Sequence, residues 1–341
     1  MENNRTNYMP AEWEQHERTL IQWPVRPSLV FPDHYNLVRQ GYVEVIKAIA
    51  EFEKVTVLVN ENTLEETKEL CKDKAELLVV PHNDGWCRDS GPTFLWNSAK
   101  KLSAVNWKFN AWGERFAHYD LDNEVAPRVL EHFGISYINA QIVIEGGSIH
   151  VDGEGTLLTT RECLLNKNRN PQLTIVEIEE EVKRQVGVSK IIWLNHGLFG
   201  DETDGHVDNV ACFAKPGVII MQTCSDPGDP NYEITMENME ILKNSIDACG
   251  RKLELIQIPQ PPARYYEDIR LTLSYLNFYL VNGGIILPVF GEDATDSDNK
   301  AEEILKQVFP DRRIVTVDGM ALIKEGGNVH CITQQMPKGI R

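Results

Sequence analysis

No two of the seven cysteines (Cys71, Cys87, Cys163, Cys212, Cys224, Cys249 and Cys331) stand in a Cys-x-x-Cys spacing, and their number is odd. A disulfide framework is therefore not expected, and the thiols read as free in a reducing cytosol. There is no His-Glu-x-x-His pair and no EF-hand spacing, so metal chemistry has little to build on. Positive charge is scarce. Lys and Arg number 34 against 51 Asp and Glu, a net charge of −17. That argues against nucleic acid and anionic membranes as partners and favours a cationic ligand, although solubility alone would also account for it. The opening segment Met1–Asn7 is polar with no apolar core behind it, so it does not read as a secretory signal. The uncharged run Leu271–Gly291 is long enough for a membrane helix, but Asn282-Gly283-Gly284 splits it into Leu276–Val281 and Ile285–Phe290. Such a turn signal predicts a buried hairpin instead. Long linkers and low-complexity stretches are lacking too, which leaves one domain over residues 1–341.

Within it, strand-like and helix-like runs alternate. Helices are predicted over Tyr35–Glu51, Pro127–Phe133, Thr174–Gln185, Glu233–Ala248 and Ala301–Phe309. Strands are predicted over Val55–Val59, Leu77–Val80, Ile142–Ile144, Ser148–Val151, Thr156–Thr160 and Ile191–Leu194. Val207–Phe213 and Gly217–Gln222 read as a hairpin around Lys215-Pro216. Leu253–Ile258, Ile314–Val317 and Asn328–Thr333 complete the strands.

The hexapeptide Glu-Gly-Gly-x-(Ile/Val)-His occurs twice, at Glu145–His150 and Glu325–His330. The second copy runs into Cys331 where the first has Val151. This suggests repeated β-β-α units, one of which carries a nucleophile. His206 and Asp208 could supply a base and a carboxylate. If Val207 faces the core on a strand, their side chains share the opposite face. The surrounding run Asp201–Asp208 is rich in acids; a solvated loop is the usual fate of such a run, and the case for a metal site is thin. Trp86–Pro92, with Arg88 and Asp89, reads as a loop that either binds a ligand or holds a structural Arg–Asp contact.

Taken in order, these pieces resemble the agmatine deiminase family of the guanidine-modifying pentein superfamily, which includes peptidyl-arginine deiminase-like proteins. The matching text runs from Met9–Glu14 and His16-Glu17 through Trp86–Phe94, Phe109–Gly113 and Glu145–His150. It continues through Glu202–Asn209 and Ser274–Tyr279 to Gly326–Gln335. The resemblance implies an α/β pentein fold, a five-bladed α/β propeller of pseudo-repeated ββαβ-type units. It implies metal-free, cofactor-free hydrolysis of agmatine to N-carbamoylputrescine and ammonia, in putrescine or polyamine synthesis in the cytoplasm. It leaves the chain free to act as a homo-oligomer.

The same resemblance assigns roles. Cys331 would attack the guanidinium carbon. Asp89 and Asp208 would grip its N–H groups. His206 would serve as acid and then base, with Glu145 either orienting it or touching the guanidinium. Trp86 would wall the methylene chain or stack on the guanidinium, Glu202 or Asp204 would meet the far ammonium, and Gly327 and Asn328 would allow close approach. Two departures stand out. Family members often carry a third Gly where this chain has Glu325, and another Gly where it has Glu114-Arg115-Phe116. Deimination of free or peptidyl arginine is the main alternative. An amidinotransferase, a metallohydrolase and a non-catalytic guanidine-binding propeller also compete.

Overall fold

The computed structural model describes residues 7–340; the polar N-terminal stretch 1–6 and Arg341 lie outside them. The chain repeats one plan five times. Each unit has an antiparallel pair of strands, a helix, and a third strand parallel to the second. The first pairs Thr93–Trp96 with Leu102–Lys108 and, after helix Val125–Phe133, adds Ser136–Val143. The second uses His150–Val151, Thr156–Thr160, helix Ile175–Val186 and Lys190–Leu194. The third uses Ala211–Lys215, Val218–Thr223, helix Asn231–Lys243 and Glu254–Pro259. The fourth uses Tyr279–Val281, Gly284–Val289, helix Thr295–Val308 and Arg313–Asp318. The fifth joins the chain's two ends. Thr333–Pro337 pairs with His16–Gln22, and helix Tyr35–Ile49 leads to Lys54–Val59 with Glu76–Val79 beyond it.

The helices form for local reasons. In Tyr35–Ile49, the buried residues Tyr35, Val38, Tyr42, Val45, Ile46 and Ile49 recur at three and four, which makes one apolar face. Ile175–Val186 starts at a capping box between Thr174 and Glu177. Apolar clusters then tie successive units together. Leu95 and Val105 pack with Leu157 and Val182. Leu158 and Ile192 pack with Phe213 and Ile219. Ile220 and Ile258 pack with Leu280 and Ile285. Tyr279 and Ile286 pack with Ile46 and Val57. Leu20 and Leu58 pack with Phe94 and Ala104, so the fifth unit returns to the first. Among the described residues no helix is long and apolar enough to cross a membrane. The charge-free run folds as the predicted hairpin, with Val281 opposite Gly284.

Several predicted elements differ, four of them as follows. The strand expected over Val207–Phe213 begins only at Ala211, and Val207–Asn209 is a 3-10 turn. Ser274 and Asn277 hold that turn by bonding the Asn209 backbone and side chain. Strand alternation therefore does not place His206 beside Asp208. The strand expected over Asn328–Thr333 is a helical turn, Val329–Ile332, followed by Thr333–Pro337. The Asn328 side chain accepts the Val329 N–H and starts that turn. Cys87–Ser90 is a single helical turn within the expected loop. The helix predicted to reach Ala248 ends at Lys243, where Asn244 and Ser245 bond back to the last turn. In each case a short stretch of mixed polarity fits strand, turn and helix equally well until side-chain partners decide.

Candidate active site

Loops between the strands converge at the second glycine of each hexapeptide. A Cβ on Gly147 would lie 2.6 Å from His206 Nδ1 and 3.0 Å from both Asp208 Oδ2 and Asp89 Oδ1. A Cβ on Gly327 would lie 2.5 Å from the Trp86 ring and 3.0 Å from Cys331 Cβ. The repeat therefore supplies two points of close approach, one beneath the acids and imidazole and one beneath the thiol.

These groups border or back a pocket whose wall includes Trp86, Asp89, Trp112, Arg115, Phe116, Glu202, Glu325, Gly327 and Cys331. Asp89 is buried at its inner end and accepts from Gly147 N and Trp112 Nε1, each at 2.9 Å. Trp112 reaches it from a left-handed turn. Ala111, Trp112, Gly113 and Glu114 all have positive φ, and Asn110 Oδ1 holds the turn through Gly113 N. Three of these residues carry side chains, so the turn stores strain that surrounding contacts must hold.

Asp208 stands behind Cys331, its Oδ2 3.9 Å from Sγ. Its Oδ1 is buried and has no hydrogen-bond partner among the described residues. Asn277 orients the nucleophile: its Nδ2 donates to Cys331 Sγ at 3.2 Å and its Oδ1 accepts from His330 N at 2.9 Å. His206 places Nδ1 3.8 Å from Asp89 and Nε2 3.7 Å from Glu145. Glu145 is buried against Arg169, Nε to Oε1 at 2.6 Å.

Charge is unevenly held. Burial, then the carboxylates of Asp208 and Asp89, push the Cys331 thiol well above its ordinary range. Burial works against a charged His206, but Asp89, Cys163 and Glu145 lift it well above the usual imidazole value. Burial would raise Asp208, yet His330 and His206 hold it below the usual carboxylate range. Glu145 is held down likewise, against burial, by Arg169 and His206. Burial raises Asp89, with Asp208 and Glu145 adding to the rise and His206 opposing it. The arrangement is a neutral thiol, a charged imidazole and at least one ionised carboxylate around an apolar slot. It can take a planar cation and activate its central carbon.

Among the described residues a metal would have one candidate place. Glu145, Cys163 and His206 bring a carboxylate, a thiol and an imidazole within 4.8 Å of one another. The Arg169 guanidinium on Glu145 already supplies positive charge there, which opposes a cation.

The family model for Porphyromonas-type peptidyl-arginine deiminases matches residues 8–337. The chain belongs to this family. A Legionella pneumophila relative, provisionally named an agmatine deiminase, is 47% identical over 332 residues, 97% of this chain and 95% of its own. The agmatine deiminase of Stutzerimonas stutzeri is 44% identical over 354 aligned residues, covering 97% of this chain and 95% of its own. The solved agmatine deiminase of Enterococcus faecalis superposes with a TM-score of 0.92 at 33% identity, covering 98% of this chain and 96% of that one. The fold is the mixed α/β fold of these deiminases.

Against the expected residues of a deiminase, the structure brings Cys331, Asp89, Asp208, His206, Glu145, Trp86, Glu202 and Gly327 to one place. It does not bring Asp204 and Asn328 to the pocket wall. Asp204 Oδ2 bonds Arg169 Nη1 at 2.6 Å and Asn168 Nδ2 at 2.8 Å, so its carboxylate is already committed. Asn328 caps its helical turn and donates to Gly319 O at 3.0 Å. Glu145, Asp208 and His206 stand behind the pocket wall and do not line it; Glu145 pairs with Arg169 and lies 3.7 Å from His206, which fits orienting the imidazole. Sequence reasoning missed Arg169, which carried no motif signal. It also gave no role to Trp112, Asn277, Glu12 or His330, although all four lie in the matching segments.

Proposed function

We propose that the chain hydrolyses agmatine to N-carbamoylputrescine and ammonia through a covalent Cys331 adduct. The observation that carries this reading is the Cys331–Asp208–Asp89–His206 cluster at the end of an indole-walled pocket. The curated relatives and the solved neighbour, named as agmatine deiminases, point the same way.

The guanidinium enters with its plane between Asp89 and the free Oδ1 of Asp208, each accepting N–H groups. Its positive charge favours ionisation of the adjacent Cys331 thiol, which the two carboxylates otherwise hold neutral, and the thiol proton passes to solvent. The thiolate sulfur bonds to the guanidinium carbon. The C–N bond to one terminal nitrogen then breaks, and that nitrogen takes a proton from the charged His206 to leave as ammonia. The remaining thiouronium carries the C–S bond. Neutral His206 takes a proton from water as the hydroxyl adds to carbon. As the C–S bond breaks, the hydroxyl proton passes to the departing sulfur, so the thiol is restored and the neutral ureido product leaves. Trp86 covers the methylene chain, and Glu202 stands at the outer wall where the far ammonium arrives.

The five units and their cyclic apolar clusters support the reading of a single five-bladed α/β propeller with this site where the blades meet. Seven unpaired cysteines fit a cytoplasmic protein in putrescine or polyamine synthesis.

One observation favours a second reading. Arg115 borders the pocket, 3.9 Å from Glu202, and a cation there suits the carboxylate of free or peptidyl arginine. The deciding experiment offers purified protein agmatine, free arginine and a C-terminal-arginine peptide, with and without a chelator, and measures ammonia and ureido product. Chelator-resistant turnover of agmatine alone supports the first reading. Turnover of an arginine substrate moves it to the second, and no turnover of any rejects both.

A further inference from the structure

The outer wall of the pocket holds an acid that the mechanism above does not use. We propose that Glu325 is a specificity-determining residue that receives the terminal ammonium of the guanidine substrate; this rests on the agmatine reading of the site. Glu325 is only 6% exposed and borders the same pocket as Cys331. Its Oε2 accepts from Phe31 N at 3.1 Å, while Oε1 is buried without a hydrogen-bond partner among the described residues. A buried carboxylate oxygen left unpaired is costly, so a charged donor arriving there gains more than it would in water.

The backbone sets the reach. Gly327 lies against both Cys331 and the Trp86 ring. One residue earlier, a Cβ on Gly326 would sit 3.3 Å from Glu202 Oε2. One residue earlier again is Glu325. Glu325 thus lies two Cα steps of ~3.8 Å each from the glycine that backs both the nucleophile and the indole, with Glu202 beside the glycine between them. An extended four-methylene chain covers a comparable length. Arg115 already pairs loosely with Glu202, which leaves the uncommitted oxygen of Glu325 as the better acceptor. Burial lifts the Glu325 carboxyl above its ordinary value, against the N–H groups of Phe31 and Val30 and the nearby His34, which lower it, and Glu202 adds a smaller push upward. A cation placed between the two acids would relieve that repulsion.

The test uses two substrates and one conservative variant. Agmatine and n-butylguanidine share the guanidine and the four-carbon chain, but only agmatine carries the ammonium. Glu325→Gln keeps an oxygen for Phe31 N and removes the charge. The wild type should prefer agmatine, through KM more than kcat. In Glu325→Gln the agmatine to n-butylguanidine ratio of kcat/KM should fall about tenfold to a hundredfold, as expected for loss of one charged hydrogen bond. An unchanged ratio, including equal losses on both substrates, would overturn the proposal, because Glu325 would then only anchor the Phe31 loop. Equal use of both substrates by the wild type would also overturn it while leaving the deimination reading intact. Turnover of neither would reject the deimination reading itself.

Discussion

His330 Nδ1 lies 2.9 Å from Asp208 Oδ2, and the opposite ring nitrogen, Nε2, lies 2.9 Å from Glu12 Oε2. The residue before the nucleophile is thus clamped between two buried acids. Burial and Arg88 work against a charged ring, yet Glu12 and Asp208 lift His330 above the usual imidazole value. Its counterpart in the first hexapeptide, His150, is pushed by burial down to about 4. The same motif therefore shifts its two histidines in opposite directions, and the one whose charged form is favoured stands beside Cys331.

Replacing His330 by Gln should move the acid limb of the kcat/KM profile to higher pH. The sign follows from Asp208. Burial alone would raise its carboxyl, and His330 is the leading group that lowers it. Asp208 works as a carboxylate, available above its pKa and lost below it. Without the imidazolium that pKa rises, so activity is lost at a higher pH on the way down. An acid limb that stays in place would show that His330 is a packing residue only.

The free thiol should resist alkylation at neutral pH. Burial and the charges of Asp208 and Asp89 hold the Cys331 thiol above the ordinary value of 9.0, and only the thiolate attacks iodoacetamide. The inactivation rate should climb about tenfold per pH unit through pH 7 to 9, and Cys331→Ala should abolish turnover while keeping the fold. A plateau of inactivation below pH 8 would mean a thiol already ionised before substrate binds. Ammonia production by Cys331→Ala would remove it as the nucleophile.

The sequence made much of this arrangement readable. The alternation of strands and helices traces the five units because long apolar periods, as in Tyr35–Ile49, are decided locally. Cys331, His206 and the acids stand out because they sit in dense motifs punctuated by glycine. Their geometry is another matter. His206 and Asp208 meet around Gly147, not through strand alternation but through a 3-10 turn held by Ser274 and Asn277, residues more than sixty positions away. Asp204 looked available until Arg169 was placed against it. Such long-range polar pairing leaves no periodic trace in a sequence.

Asp89 gives a graded test. Asp89→Asn removes a charge-assisted contact to the guanidinium and should cost about 1.5–3 kcal/mol in kcat/KM. Trp112→Phe keeps the ring but removes the Nε1 donor that holds Asp89 Oδ2. It should cost less, about 0.5–1.5 kcal/mol, because the carboxylate keeps its bond from Gly147 N. Measuring both variants, alone and combined, would expose any coupling. Additive losses would mean that Trp112 acts on the substrate independently of Asp89.

Arg169 should matter for stability more than for chemistry. Its guanidinium spans the wholly buried Glu145 and the partly exposed Asp204. Arg169→Met leaves Glu145 as an uncompensated buried charge, a change that typically costs about 3–5 kcal/mol. The loss should depend on pH. In the native chain Arg169 and His206 hold Glu145 below its ordinary value of 4.5 despite burial. That contribution is present above 4.5 and disappears as pH falls through the depressed native pKa. In the variant, the bare carboxyl can escape its penalty by taking up a proton as the pH drops. The gap in Tm between native chain and variant should therefore be widest near pH 7 and narrow steadily toward pH 5, read by thermal unfolding at constant ionic strength. A gap that is flat with pH would show that Arg169 stabilises through its packed alkyl stem and its bond to the Thr203 carbonyl, and that Glu145 is already neutral in the folded protein.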